Sequence, residues 1–147
     1  MVRLLSLEWP DARPFSGRGG RPIRWLAVSD DPDPALDHAV NRADLGAIDV
    51  IVGAGDLEPD YLGFLGDALA VPVAFVRGNH DHGGRWADSV AATAPHPLRT
   101  GRLHDVCGLT VVALEWPGLR HDGRRRHDGA AWTDCLRVAA RHPLAGL

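Results

Sequence analysis

Three observations predict an α/β fold built around a parallel sheet. Three short apolar runs of strand length, at residues 23–29, 49–54 and 73–77, are separated by segments in which apolar residues recur at helical spacing. Each run is followed by a polar cluster: Asp30, Asp31 and Asp33 after the first, Asp56 and Glu58 after the second, Asn79, His80 and Asp81 after the third. Strands that alternate with helices pair in parallel through right-handed crossovers. The carboxyl ends of the three strands therefore share one edge, which is where open sheets of this kind bind ligands.

The elements follow in chain order. Residues 1–22 are expected as an amino-terminal arm and loop: Val2 to Leu7 alternates weakly, as an edge strand or a loose arm, and residues 10–22 are rich in Gly, Arg and Pro with no periodicity. A single domain is expected over residues 23–147. Its first helix is expected from Pro34, capped by Asp33, with Leu36, Ala39, Val40 and Ala43 on one face and Gly46 as its stop. A second helix is expected from Pro59 with the apolar stripe Tyr61, Phe64, Leu65 and Ala68, ended by Pro72. Beyond the third strand, residues 105–114 read as a hairpin turning at Gly108. A polar loop over 118–129 then leads to a helix from about residue 130, with Trp132, Leu136, Ala139 and Ala140 on one face and Pro143 closing it.

Composition narrows the class. The 147 residues are one domain's worth, enough to bury roughly 70% of the unfolded surface if the domain is whole. An apolar fraction of 45% and a charged fraction of 24% are ordinary for a folded globular protein, and Gly 17 with Pro 11 makes it loop-rich. The net charge of -3 excludes a general nucleic-acid binder, which needs a basic surplus to neutralise phosphates. All 16 basic residues are Arg, a bias assigned to a GC-rich source. No apolar run approaches the ~18 residues of a membrane span, so no membrane partner is expected and the chain reads as cytoplasmic. Cys107 and Cys135 lack a Cys-x-x-Cys spacing and are expected as two reduced, largely buried thiols.

The three clusters hold oxygen donors, one or two imidazoles and no thiolate. Such a set suits Mn, Fe, Zn or Mg and hydrolytic or phosphoryl-transfer chemistry. Not every member carries equal weight. Asp31 and Asp33 serve at least as well as helix-cap or solvated-turn residues, and Glu58 beside Pro59 reads as a first-turn carboxylate facing the helix dipole. His82 reads as a bystander at the mouth. His104, His121 and His127 each precede an Asp but lie in polar segments where solvation is the default, and Arg124-Arg125-Arg126 reads as an exposed loop before an anion-steering patch. The five Trp residues are assigned to packing or pocket walls.

An Asp after the first strand, Gly55-Asp56 after the second and Gly78-Asn79-His80-Asp81 after the third resemble, in order and spacing over residues 25–81, the calcineurin-like metallophosphoesterases. The resemblance implies a two-sheet β-sandwich flanked by helices and a pair of divalent cations. It implies that Asp30 binds the first metal, Asp56 bridges two metals and Asn79 binds the second. It implies further that His80 stabilises or protonates the leaving-group side of the phosphoryl group and that Asp81 holds its imidazole. A bridging carboxylate holds two cations about 3.5–4 Å apart, which lets a metal-activated hydroxide attack phosphorus in line. The implied activity is hydrolysis of a small-molecule phosphate mono- or diester.

Two departures qualify what carries over. The family's first motif usually reads Asp-x-His, whereas Pro32 stands at the His position, leaving Asp31 or Asp33 as substitutes. The family also takes ligands from a His after a fourth strand and from a later Gly-His-x-His, while His96, His104, His121, His127 and His142 form no His-x-His pair. The domain is therefore expected to be incomplete at its carboxyl end. The alternatives to an active phosphoesterase are a non-catalytic scaffold with the same fold and an inert fragment lacking the full dimetal site. Uncovered apolar sheet surface predicts a chain that is marginally stable or self-associates.

Overall fold

The computed structural model describes residues 5–8, 13–78, 80 and 81, 95–115 and 128–142. It is mixed α/β. Strands β1 (Trp25–Val28), β2 (Val50–Gly53) and β3 (Val73–Phe75) form a parallel sheet in the order β1-β2-β3. The register pairs Leu26 with Ile51 and Val28 with Gly53, then Ile51 with Val73 and Gly53 with Phe75. Each strand is shorter than its apolar run and lies within it. Pairing continues briefly past the strand ends: Ala54 N–H donates to Val28 O, Val76 N–H to Gly53 O and Asp30 N–H to Gly55 O. These bonds hold the three carboxyl-terminal exits side by side, as the strand–helix alternation predicts.

The segment between β1 and β2 does not form one helix. Asp33 caps a 3-10 helix, Pro34–Asp37, by accepting the Ala35 N–H on Oδ1. The chain is extended at His38, and helix α1 (Ala39–Asp44) follows. Only the 3-10 turn reaches the core, through Leu36. Val40, expected on the same buried face, is 73% exposed. The break rotates α1 out of phase with Leu36, so a stripe counted across it has no physical counterpart.

Helix α2 (Pro59–Leu69) starts at its expected Pro and ends at Ala70, which takes the left-handed conformation at φ 53°. Its buried face is Pro59, Leu62 and Leu65. Tyr61 is half-buried, and Phe64 and Ala68 lie toward solvent. The core lies where α2 meets the sheet. Leu26, Leu36, Ile51 and Leu65 form one cluster and Leu57, Leu62 and Phe75 a second, bridged by Val28, Tyr61 and Val73. Each fully buried aliphatic side chain contributes roughly 1.5–3 kcal/mol.

Strands β4 (Leu103–Val106) and β5 (Leu109–Val112) make an antiparallel hairpin, with its turn at Cys107-Gly108 as expected. Both turn residues have positive φ, 56° and 77°, the geometry of a two-residue turn matched to strand twist. Residues 13–22 are mostly exposed, as expected of a surface segment, but are joined to the hairpin and the sheet. The 3-10 helix Arg13–Arg18 packs on β5, and Gly17 lies so close to Gly108 that a Cβ would fall 2.8 Å from its carbonyl oxygen. Arg18 donates to Cys107 O, Pro22 O and Asp49 Oδ1, clasping hairpin, loop and the approach to β2 together.

Helix α3 (Asp128–Arg141) matches the expected last helix, but its expected buried face is reversed. Trp132 is 71% exposed and Leu136 69%, while Val138 is buried near Gly101. Cys107 is half-buried, and burial pushes its thiol pKa up. Cys135 is exposed, against the expectation of burial. No helix among the described residues is long and apolar enough to cross a membrane.

Candidate functional site

The exits of β1, β2 and β3 carry the site. Asp30 follows β1 after Ser29, and Asp56 follows β2 after Ala54-Gly55. The Asp30 N–H to Gly55 O bond, 3.1 Å, makes these two turns neighbours. Both Asp residues are left-handed, at φ 64° and 59°. Among the described residues the other non-glycine residues with positive φ are Ala70, a helix end, and Cys107, a hairpin turn, each with an evident backbone duty. Asp30 and Asp56 have no such duty at a helix end or a hairpin. Asp tolerates this conformation better than most residues, yet it still costs on the order of 1 kcal/mol, and such residues concentrate at functional sites.

The β3 exit closes onto Asp56. His80 N–H donates to Asp56 Oδ1 at 2.9 Å, and His80 Nδ1 lies 3.1 Å from Asp56 Oδ2. The His80 side chain is 72% exposed. Asp81 is buried, 5% exposed, and its Oδ2 accepts both the Asp56 N–H and the Gly78 N–H at 2.8 Å. This differs from the expected division of labour. The Asp56 carboxylate lies within hydrogen-bond distance of the His80 ring, and Asp81 Oδ2 takes backbone N–H groups of the β2 and β3 exits. The reason is steric as well as electrostatic. A Cβ on Gly55 would fall 2.7 Å from Gly78 Cα, so the two glycines let the exits approach closely enough for one carboxylate to reach both N–H groups.

The remaining candidates separate by what they touch. Asp33 is committed to its cap, which holds its carboxyl below the usual range through the Ala35 N–H. Its own N–H donates to the Tyr61 hydroxyl at 3.2 Å. Tyr61 was expected only as part of an apolar stripe, and its position in the first turn of α2 is the signal that could have marked it. Asp31, Pro32 and Glu58 are exposed, and Glu58 occupies the cap position of α2 without a side-chain capping bond. His104 Nε2 faces Arg99 O in the hairpin region. Asn79, His82, His121, His127 and Arg124-Arg125-Arg126 lie outside the described residues.

For a divalent cation, Asp30 and Asp56 offer carboxylate oxygens from adjacent turns, and the donor type fits a hard metal ion. Among the described residues no group of three or more His, Cys, Asp or Glu side chains is gathered at metal-holding distance. The third expected donor, Asn79, is an amide. Comparison of the chain with family models, curated proteins and solved structures returns no match.

Proposed function

We propose that the chain is a metal-dependent phosphoesterase of the calcineurin-like metallophosphoesterase type, hydrolysing a phosphate mono- or diester at the joined exits of β1, β2 and β3. In this reading the parallel sheet and the β4–β5 hairpin are the kernel of the family's sandwich. The observation that carries the proposal is the pairing of two left-handed aspartates, Asp30 and Asp56, through the Asp30 N–H to Gly55 O bond. Asp30, Asp56 and Asn79 would hold the cations. Divalent cations held there neutralise phosphoryl oxygens and lower the pKa of water toward neutrality. His80 stands beside Asp56 with Nδ1 turned to the carboxylate, so Nε2 is the nitrogen that meets a phosphoryl or leaving-group oxygen. Its exposure leaves room for a substrate to reach it.

A second reading, a non-catalytic scaffold with the same fold, draws on Asp56 itself, since each of its carboxylate oxygens is already engaged by His80. Metal content distinguishes the two. The phosphoesterase reading expects tight binding of Mn ions after dialysis and Mn-stimulated hydrolysis of a generic aryl phosphate, with both Asp56→Asn and Asn79→Ala reducing turnover to background. Undiminished activity in both variants would remove the site assignment, and a folded chain that binds no metal favours the scaffold.

A further inference from the structure

The buried carboxylate at the site belongs to the residue whose expected task, holding the His80 ring, is performed by another. Asp81 is almost fully enclosed, and its Oδ2 takes two N–H groups that belong to two different strand exits, Asp56 N–H and Gly78 N–H. Hydrogen bonds to an ionised carboxylate are the strong kind, and a buried carboxylate without such donors is costly. The two bonds act on particular backbone. Asp56 holds a conformation its Cβ disfavours, and Gly78 sits against the Asp56 side chain with no space for a Cβ. A strained turn persists only when its surroundings over-determine it.

We propose that Asp81 is a positioning residue for Asp56: it clamps the left-handed Asp56 turn to the β3 exit and so fixes the direction of the Asp56 carboxylate, while Asp56, rather than Asp81, orients the His80 ring. The metal consequence rests on the phosphoesterase reading above, but the clamp itself does not. Asp81 is thereby two steps from the chemistry, acting through the peptide N–H of the residue that meets cation and imidazole. Loss of groups that orient a metal-binding side chain typically weakens metal affinity roughly 10–100-fold.

The test uses the full chain with Asp81→Asn, Asp81→Ala and Asp56→Asn, each checked for fold by circular dichroism. Three readouts are taken: hydrogen exchange at the Asp56 and Gly78 amides, the ring nitrogen resonances of His80, and binding of Mn ions alone. The amide oxygen of Asn can still accept both N–H groups, whereas Ala accepts neither. The expected result is exchange protection kept in Asp81→Asn and lost in Asp81→Ala. Mn affinity is expected to fall roughly 10–100-fold in Asp81→Ala and to be largely restored in Asp81→Asn. The His80 ring resonances are expected to move in Asp56→Asn and to stay in Asp81→Asn. Ring resonances that move as far in Asp81→Asn as in Asp56→Asn, or amides that stay protected in Asp81→Ala, overturn the proposal. A parent chain that binds no Mn overturns the phosphoesterase reading instead, and amide protection and ring resonances still decide the clamp.

Discussion

Gly78 shows how tightly single residues define this site. A Cβ built there would fall on the Asp56 carboxylate, 2.6 Å from its Cγ and 2.8 Å from the Asp56 N. The atoms it meets are backbone and a side chain already bonded to His80, so neither yields without breaking the clamp. Gly78→Ala is therefore expected to destabilise the chain by about 1–3 kcal/mol, the usual cost of forcing a methyl into a filled space. It is also expected to release the His80 to Asp56 pairing. Urea unfolding together with the His80 ring resonances checks both parts, and an unchanged midpoint would show that the two exits are not packed as described. That the three strand exits share one edge was legible from the alternation of apolar runs with helical spacing. The hydrogen bonds made there were not, because Asp81 is adjacent to His80 in sequence while its backbone partners are set by how close two glycines let the strand exits come.

At the scale of elements, the chain is joined by contacts that sequence pattern does not reveal. The strands and the hairpin were legible because they are local: apolar runs of strand length bounded by Gly, Pro and Asp, and a turn marked by Gly108. The helix faces were not. Helix α2 includes Gly63, Gly66 and Ala68, which carry little information about phase, and the His38 break lies inside what reads as one period. The Arg18 clasp was invisible for another reason, since Arg18 meets Asp49 and Cys107 at separations of 31 and 89 residues. Arg18→Ala is expected to cost about 2 kcal/mol, since it removes charge-assisted bonds to one carboxylate and to several carbonyls at once. Asp49 gives this clasp a pH signature. The Arg24 N–H first, and then the Arg18 guanidinium, hold its carboxyl below the ordinary value of 3.8. A depressed folded value means the stabilisation is complete above the unfolded value, near 4, and is lost as pH falls through the folded one. The Asp49 side chain is 36% exposed, so the effect is at most about 1 kcal/mol. Asp49→Asn is expected to lower the urea midpoint at pH 7 and to converge on the parent as pH falls through the lowered Asp49 value. A gap that persists in acid would locate the contribution elsewhere.

At the scale of the whole molecule, helix α3 presents an organised apolar surface: Trp132 and Leu136 stand four residues apart, on one face, and both are largely exposed. An amphipathic helix normally turns that face to a core, and here only Val138 among the described large side chains of α3 is buried. Exposed aromatic and aliphatic groups in register are what a second copy can cover, since each buried CH₂ gains about 0.8 kcal/mol. The parent chain is therefore expected to sediment above monomer mass at tens of micromolar and to dissociate on dilution. Substituting Glu at both Trp132 and Leu136 is expected to restore the monomer without loss of helical signal, because neither side chain supports the core around Leu26, Ile51 and Leu65. A monodisperse parent monomer with a sharp, reversible, two-state melt would show instead that this surface is tolerated in isolation. The marginal packing expected from the sequence would then not be a property of the chain.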